Sequence, residues 1–184
     1  TILTLQGAWE ERQALDDARR RLFEARERRT PPGRDEKVHV AWNGLMLAAF
    51  AEAARVLDRD DYREVAVRNA HFLLRELRDA DGRLRHTWID GEAKVPGFLD
   101  DHADLITGLL ALYQTTFAPR WYRAARELAE TMIAHFAADG DAVGFYDTAD
   151  DAEALVVRPR EVQDNATPSG NAMAATVLLT LARL

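Results

Sequence analysis

Two kinds of helix alternate along this chain. In one kind, apolar residues recur at helical spacing on a single stripe and charges fill the opposite face; in the other, hardly any face is left for water. Segments 62–77 and 121–136 are of the first kind. The former turns Tyr62, Val65, Ala66, Ala70, Leu73, Leu74 and Leu77 inward and Arg63, Glu64, Arg68, Arg75 and Glu76 outward. The latter buries Trp121, Ala125, Leu128, Ala129, Met132, Ile133 and Phe136 and exposes Arg123, Arg126, Glu127 and Glu130. Segments 45–56, 105–117 and 172–184 are of the second kind. In 105–117, Leu105, Ile106, Leu109, Leu112 and Tyr113 carry the helical period, while Gly108 and Ala111 let a neighbour approach closely. The pattern predicts three inner helices and two outer ones.

Between them lie turns and short extended runs. Asp81-Gly82 and Asp90-Gly91 bracket Leu84, His86 and Trp88, which alternate with Arg83, Arg85 and Thr87, so a hairpin is predicted with His86 and Trp88 on one side. Segments 144–148 and 155–159 read as two further short strands around the acidic turn Asp150-Asp151. A charged helix over 9–29 precedes all this and is stopped by Thr30-Pro31-Pro32-Gly33. The organisation is a leading helix and linker over 1–33 and hairpin repeats over 34–184. A shift of 59 residues lays Tyr62 on Trp121, Ala66 on Ala125 and Ala70 on Ala129. Repeated helical hairpins fit a solenoid or an α/α toroid. A solenoid has no reason to make alternate helices nearly charge-free, so the fold class is all-α, a partial (α/α) toroid of helical hairpins with short β-hairpins between repeats.

Composition narrows the function. The 184 residues, 47% of them hydrophobic, suffice to bury a single core. A net charge of -7 argues against nucleic acid and anionic membranes as partners. No bilayer-spanning stretch or signal peptide is evident, and there is no cysteine, which excludes disulfides and thiolate chemistry and points to a cytoplasmic address. The chain opens on Thr1 and its last helix stops at Leu184 without a cap, which reads as a piece of something longer. A half ring would leave apolar flanks, so self-association is expected.

Chemistry is concentrated where inner helices begin. Gly97-Phe98-Leu99-Asp100-Asp101-His102-Ala103-Asp104 opens one, Trp42-Asn43-Gly44 another and Ser169-Gly170-Asn171 the third. In a toroid these beginnings share one end, and His86, Trp88, Asp147 and Arg158 sit in loops able to roof it. Aromatic rings beside carboxylates suit a sugar, whose C–H face stacks on a ring while its hydroxyls bond to Asp and Asn. The catalytic candidates are Asp101, His102 and Asp147; the substrate-binding candidates are Trp42, Asn43, His86, Trp88, Asp100, Arg158, Asp164 and Asn171. Glycoside hydrolysis would pair Asp101 with Asp147 or Asp164, whereas epimerisation beside a carbonyl would use His102 and His86. Each feature has a plainer reading: helix capping for the carboxylates and Ser169, core packing for the tryptophans. His39 has no nameable partner. No metal is indicated, because the Asp-Asp-His-Ala-Asp spacing would splay its ligands around a helix start, and no cofactor is expected.

Trp42-Asn43-Gly44-Leu45-Met46, Gly97-Phe98-Leu99-Asp100-Asp101, Phe145-Tyr146-Asp147-Thr148, Arg158-Pro159 and Thr167-Pro168-Ser169-Gly170-Asn171 together resemble the C-terminal region of the spermatogenesis-associated thioredoxin-like proteins. The resemblance runs from about Arg26 to Leu184. It implies a six-hairpin toroid similar to N-acylglucosamine 2-epimerase and related glycosidases, of which this chain holds about half, and a thioredoxin-like domain as partner in the full-length protein. It implies a small-molecule or oligosaccharide ligand, with epimerase-like or glycosidase-like processing set against a non-catalytic scaffold. If Asp101 acts on a ligand, Asp101→Asn is expected to abolish binding and leave the melting temperature unchanged or higher.

Overall fold

The computed structural model describes residues 15–140 and 143–184, so the start of the predicted leading helix, 9–14, lies outside the described residues. Contacts divide the chain into a unit ending at Glu36 and one running from Lys37 to Leu184. In the first, helix α1 (Asp16–Glu27) is laced by Arg19–Asp16 and Arg20–Asp17 pairs one turn apart and buries none of its residues.

The second unit runs β1 (Val38–His39), α2 (Val40–Val56), α3 (Asp60–Glu76), β2 (Arg85–Ile89), β3 (Glu92–Pro96), α4 (Leu99–Thr116), α5 (Pro119–Phe136) and α6 (Gly170–Leu181). It is all-α but for one small sheet, and it is a partial (α/α) toroid. Helix α4 is the hub, packing against α2, α5 and α6, while α3 lies against α2. The α2–α4 crossing is close because both helices present glycine there. A Cβ on Gly44 would stand 2.5 Å from the Asp104 carbonyl carbon, and one on Gly108 would stand 2.7 Å from Gly44 O. Thr115 Oγ1 also donates to Ala51 O at 2.9 Å across the same seam. Local chemistry starts the helices where the pattern says: Asp60 and Asp61 in the first turn of α3, Pro119 opening α5, and Ser169 Oγ accepting from Ala172 N–H before α6.

The hairpin forms as the alternation predicts, with Arg85 opposite Pro96 and Ile89 opposite Glu92. Asp90 and Gly91 both have positive φ, 54° and 81°, the backbone of a tight two-residue hairpin turn. The predicted polar lead-in contains something the pattern does not announce. Val38 and His39 pair with Trp88 and Thr87, adding a third antiparallel strand, and α2 starts at Val40 rather than Leu45.

Three expectations need correction. Segments 144–148 and 155–159 form no strands; a single bridge, Ala137 with Phe145, is all the ladder there is. This stretch is held by scattered backbone bonds, among them Tyr146 N–H to Phe136 O at 2.8 Å and Asp147 N–H to Pro159 O at 2.9 Å, and by side chains, and Leu155, Val156 and Val157 stay exposed. Val65 and Ile133 sit on the shoulders of their helices, 36% and 47% exposed, rather than inward. Burial also follows neighbours more than inner or outer rank. Eleven of the eighteen residues of α4 are buried, but only three of twelve in α6 against seven of eighteen in outer α5, because α6 has α4 on one side only.

Candidate functional site

The starts of α2 and α4 meet the hairpin at one carboxylate. Asp101 is 0% exposed. Its Oδ1 accepts Ala41 N–H at 3.0 Å, and its Oδ2 accepts Phe98 N–H and His86 Nδ1–H, each at 2.9 Å. An ionised carboxylate only accepts, so the hydrogen sits on His86 Nδ1, and Nε2 of the neutral ring carries a lone pair. This bond raises the His86 pKa above the ordinary imidazole value, against the opposing effect of partial burial. His86 keeps 25% of its side chain open. Its ring lies 5.0 Å from Phe98 and 5.1 Å from His39, and His39 in turn lies 4.7 Å from Trp42, which is 61% exposed. The result is a carboxylate–imidazole dyad beside an open aromatic platform.

His102 and Asp104 sit deeper. His102 Nδ1 donates to Phe98 O at 2.8 Å, its ring packs 5.0 Å from Phe136, and its buried Nε2 has no partner. Burial lowers its pKa, so it is held neutral with no outlet to solvent. Asp104 is 2% exposed with a partnerless Oδ1; burial first, then Asp100 and Asp101, push its pKa up to about 7. Asp100, Asp104, Thr107, Ala111 and Gln114 recur at helical spacing and form one stripe along α4.

A second focus lies across Phe98. Asp100, whose Oδ1 accepts Asp101 N–H at 2.9 Å, and Asp147, whose Oδ2 accepts Glu161 N–H at 2.8 Å, line a cavity of about 250 Å³ with Phe98, Glu161, Gln163, Asn165 and the run from Thr167 to Gly170. Burial raises both carboxyls, and the Asp101 charge adds to the effect on Asp100. Most of the other sequence candidates bond within the protein, although Trp88 Nε1 and Arg158 Nε are buried without a partner. Asn43 links His39 O to Asn69, and Asn171 spans Phe145 and Glu161 O. Asp164 Oδ1 accepts Ser169 N–H. Arg158 donates to Thr148 O at 2.6 Å and lies 4.0 Å over the Tyr146 ring. Trp88 stands edge-on to Phe72 of α3, 5.4 Å away, rather than beside Trp42. Among the described residues the one grouping with cation-ligand spacing is His135, Asp150 and Asp151, already matched by a His135–Asp150 bond and by Arg83 on Asp151.

No protein-family model matches the chain. Human spermatogenesis-associated protein 20 is 35% identical over 179 residues, covering 92% of this chain, and the rat protein is 34% identical over the same span. This chain is homologous to a segment of spermatogenesis-associated protein 20. It spans 23% of the length of these relatives. Among solved structures, cellobiose 2-epimerase from Spirochaeta thermophila superposes with a TM-score of 0.64 at 16% identity, over 80% of this chain and 39% of the epimerase. A sugar epimerase from a ruminal bacterium gives 0.60 at 13% identity, over 80% and 38%. A UGL variant solved with dGlcA-Glc-Rha-Glc gives 0.56 at 19%, over 84% and 49%. At such identities the likeness shows the toroid fold alone.

Within this chain, three of the gathered residues escape a sequence reading as site residues. His39 joins the site only because β1 pairs with β2, a contact no local pattern marks. Phe98 stands in the motif that opens α4 but not among the candidates, yet it packs on His86 and lines the cavity. Asp104 reads as one more helix-start carboxylate, and only its burial sets it apart. Among the described residues, no helix is long and apolar enough to cross a membrane.

Proposed function

We propose that this region supplies part of a carbohydrate site with epimerase-like chemistry, in which His86 moves a proton at the carbon beside a sugar carbonyl. The observation that carries this is the 2.9 Å bond from His86 Nδ1 to a fully buried Asp101, which leaves Nε2 as the reactive nitrogen of a side chain that is a quarter exposed. An imidazole so held removes a proton as a base and returns one as an acid near neutral pH. Trp42, 61% exposed and backed by the tilted His39 ring, offers a face on which a sugar ring stacks. Asp101, out of reach of any ligand, positions His86 rather than reacting. Epimerisation needs a proton-transfer group at each face of the carbon; His86 is one of the two, and the other comes from elsewhere in the ring. The toroid shared with two sugar epimerases makes the reading coherent, although the fold by itself assigns no activity.

The test uses the full-length protein and a panel of neutral reducing sugars in deuterated water, followed by NMR. Deuterium should appear at the carbon beside the carbonyl of at least one sugar. His86→Gln should slow its uptake by about 10²–10⁴-fold, the usual worth of a positioned acid–base group. Uptake undiminished in His86→Gln, or no uptake with any sugar, overturns the proposal.

A further inference from the structure

The cavity across Phe98 plays no part in the proton transfer just described, yet one wall of it is the residue that packs on His86. We infer that it is a second saccharide subsite, so that the ligand is an uncharged oligosaccharide with one ring at Trp42 and His86 and the next beyond Phe98. The inference rests on the carbohydrate reading above and extends it to ligand size and charge.

Geometry joins the two places. Phe98 lies 5.0 Å from His86 on one side and lines the cavity on the other. The cavity walls come from three segments locked together at the start of α4. Leu99 N–H donates to Asp147 O at 3.0 Å, fixing the Asp147 segment, and a Cβ on Gly170 would stand 3.2 Å from Asp100 N, so the start of α6 abuts the same turn. At about 250 Å³ the space is smaller than the roughly 300–1,000 Å³ that takes a drug-sized ligand, so it suits one sugar ring and not a longer chain.

Its lining also has the chemistry of a hydroxyl-rich, uncharged group. Phe98 and Pro168 give apolar surface, while Gln163 and Thr167 give polar groups that both donate and accept. Asp100 and Asp147 each have one oxygen taken by a backbone N–H, and the second oxygen of each can accept from a sugar hydroxyl. Carboxyls held partly buried, with their pKa values raised, gain from such a donor what they lack in water. The lining contains Asp100, Asp147 and Glu161 and no basic side chain, so an anionic sugar is repelled.

Calorimetry on the full-length protein with glucose and with cellobiose tests this. Cellobiose should bind about tenfold tighter, the worth of one or two added hydrogen bonds to charged groups. Asp147→Asn, whose amide oxygen still accepts Glu161 N–H, should remove that advantage. Gln163→Ala, on the exposed loop where folding is not at stake, should reduce it several-fold and leave glucose affinity unchanged. Glucose binding with no gain for cellobiose, or a gain that survives both substitutions, overturns the subsite alone. Binding of neither sugar overturns the functional reading beneath it as well.

Discussion

A single buried carboxylate, Asp101, ties together three segments far apart in the chain: the start of α2 through Ala41, the turn into α4 through Phe98, and β2 through His86. Three donors converge on its two oxygens, and this decides what Asp101→Asn does. An asparagine offers one accepting oxygen, and its amide N–H groups must then face a donor, leaving a buried group unsatisfied. The substitution should therefore lower stability by about 2–4 kcal/mol, measured by urea unfolding. That reverses the sequence expectation of an unchanged or higher melting temperature, because sequence shows the carboxylate at a helix start but not its burial. The same substitution should move the pH–rate profile of the proposed reaction to lower pH, since the bond to Asp101 is the main cause of the raised His86 pKa; a profile that stays in place would separate Asp101 from the site. Gly44 is the second residue on which the architecture turns. Its added Cβ would meet the backbone of Asp104 and Leu105, which cannot move aside as a flexible side chain would. Gly44→Ala should cost about 1–3 kcal/mol or more in the same unfolding measurement, and a neutral result would mean that α2 and α4 are not so closely packed.

At the scale of elements, the start of α4 and the β2 strand beside it gather groups whose titration opposes one another. The His86 pKa is raised, so the stability its pairing contributes is fully present below the unfolded value of about 6.5 and is lost as pH rises through the folded value. His102 has a lowered pKa; its contribution is present above about 6.5 and is lost as pH falls toward the folded value. Asp104, pushed up to about 7, favours the fold while protonated, and that contribution is lost as pH rises from roughly 4 through 7. Asp104→Asn should flatten this decline and raise stability at pH 8 by about 1–3 kcal/mol. Thermal melts from pH 4 to 8 check it, and an unchanged slope would place the strain elsewhere. The helices themselves were legible because charge-free and amphipathic periods differ plainly, and the hairpin because Asp90-Gly91 suits only a tight turn. Strand β1 was not legible: two residues carry no period, and their pairing is decided by β2. The stretch from Gly144 to Pro159 misled for the opposite reason. Its apolar runs look like strands, but only isolated backbone bonds such as Asp147 N–H to Pro159 O form, and Arg158 on Thr148 O and Asn171 on Phe145 supplement them where a ladder would have run on. Of the candidate site, the residue types and the shared end of the helices could be read from the sequence. Which carboxylate is buried, and which histidine it holds, required the three-dimensional contacts.

At the scale of the whole Lys37–Leu184 unit, the row of inner helices α2, α4 and α6 ends in two unlike flanks with one property in common. On α2, Met46 and Val56 are 56% and 69% exposed, and they fall on one stripe with Ala49, opposite the face packed on α4. On α6, Leu179 is 63% exposed beside Ala172 and Ala175, opposite buried Gly170, Ala174 and Val177. In the two epimerases the aligned region covers 38–39% of each chain, so most of each lies outside the part shared with this one. A polypeptide with this sequence alone leaves both stripes in water, and contiguous apolar faces of this kind drive association. The surface charge of -7 spread over the molecule works against aggregation in general but does not cover either stripe. The 184-residue chain should therefore self-associate at micromolar concentration, through these flanks and not through the polar mouth. Light scattering would show it as a mass above 20.7 kDa that grows with concentration. The double substitution Met46→Glu and Leu179→Glu places a charge on each flank without touching the core, and it should return the chain to a monomer while preserving its helical circular dichroism. A wild-type chain that stays monomeric across that range would show that the flanks are covered in some other way. Association that persists in the double variant would place the contact on another face.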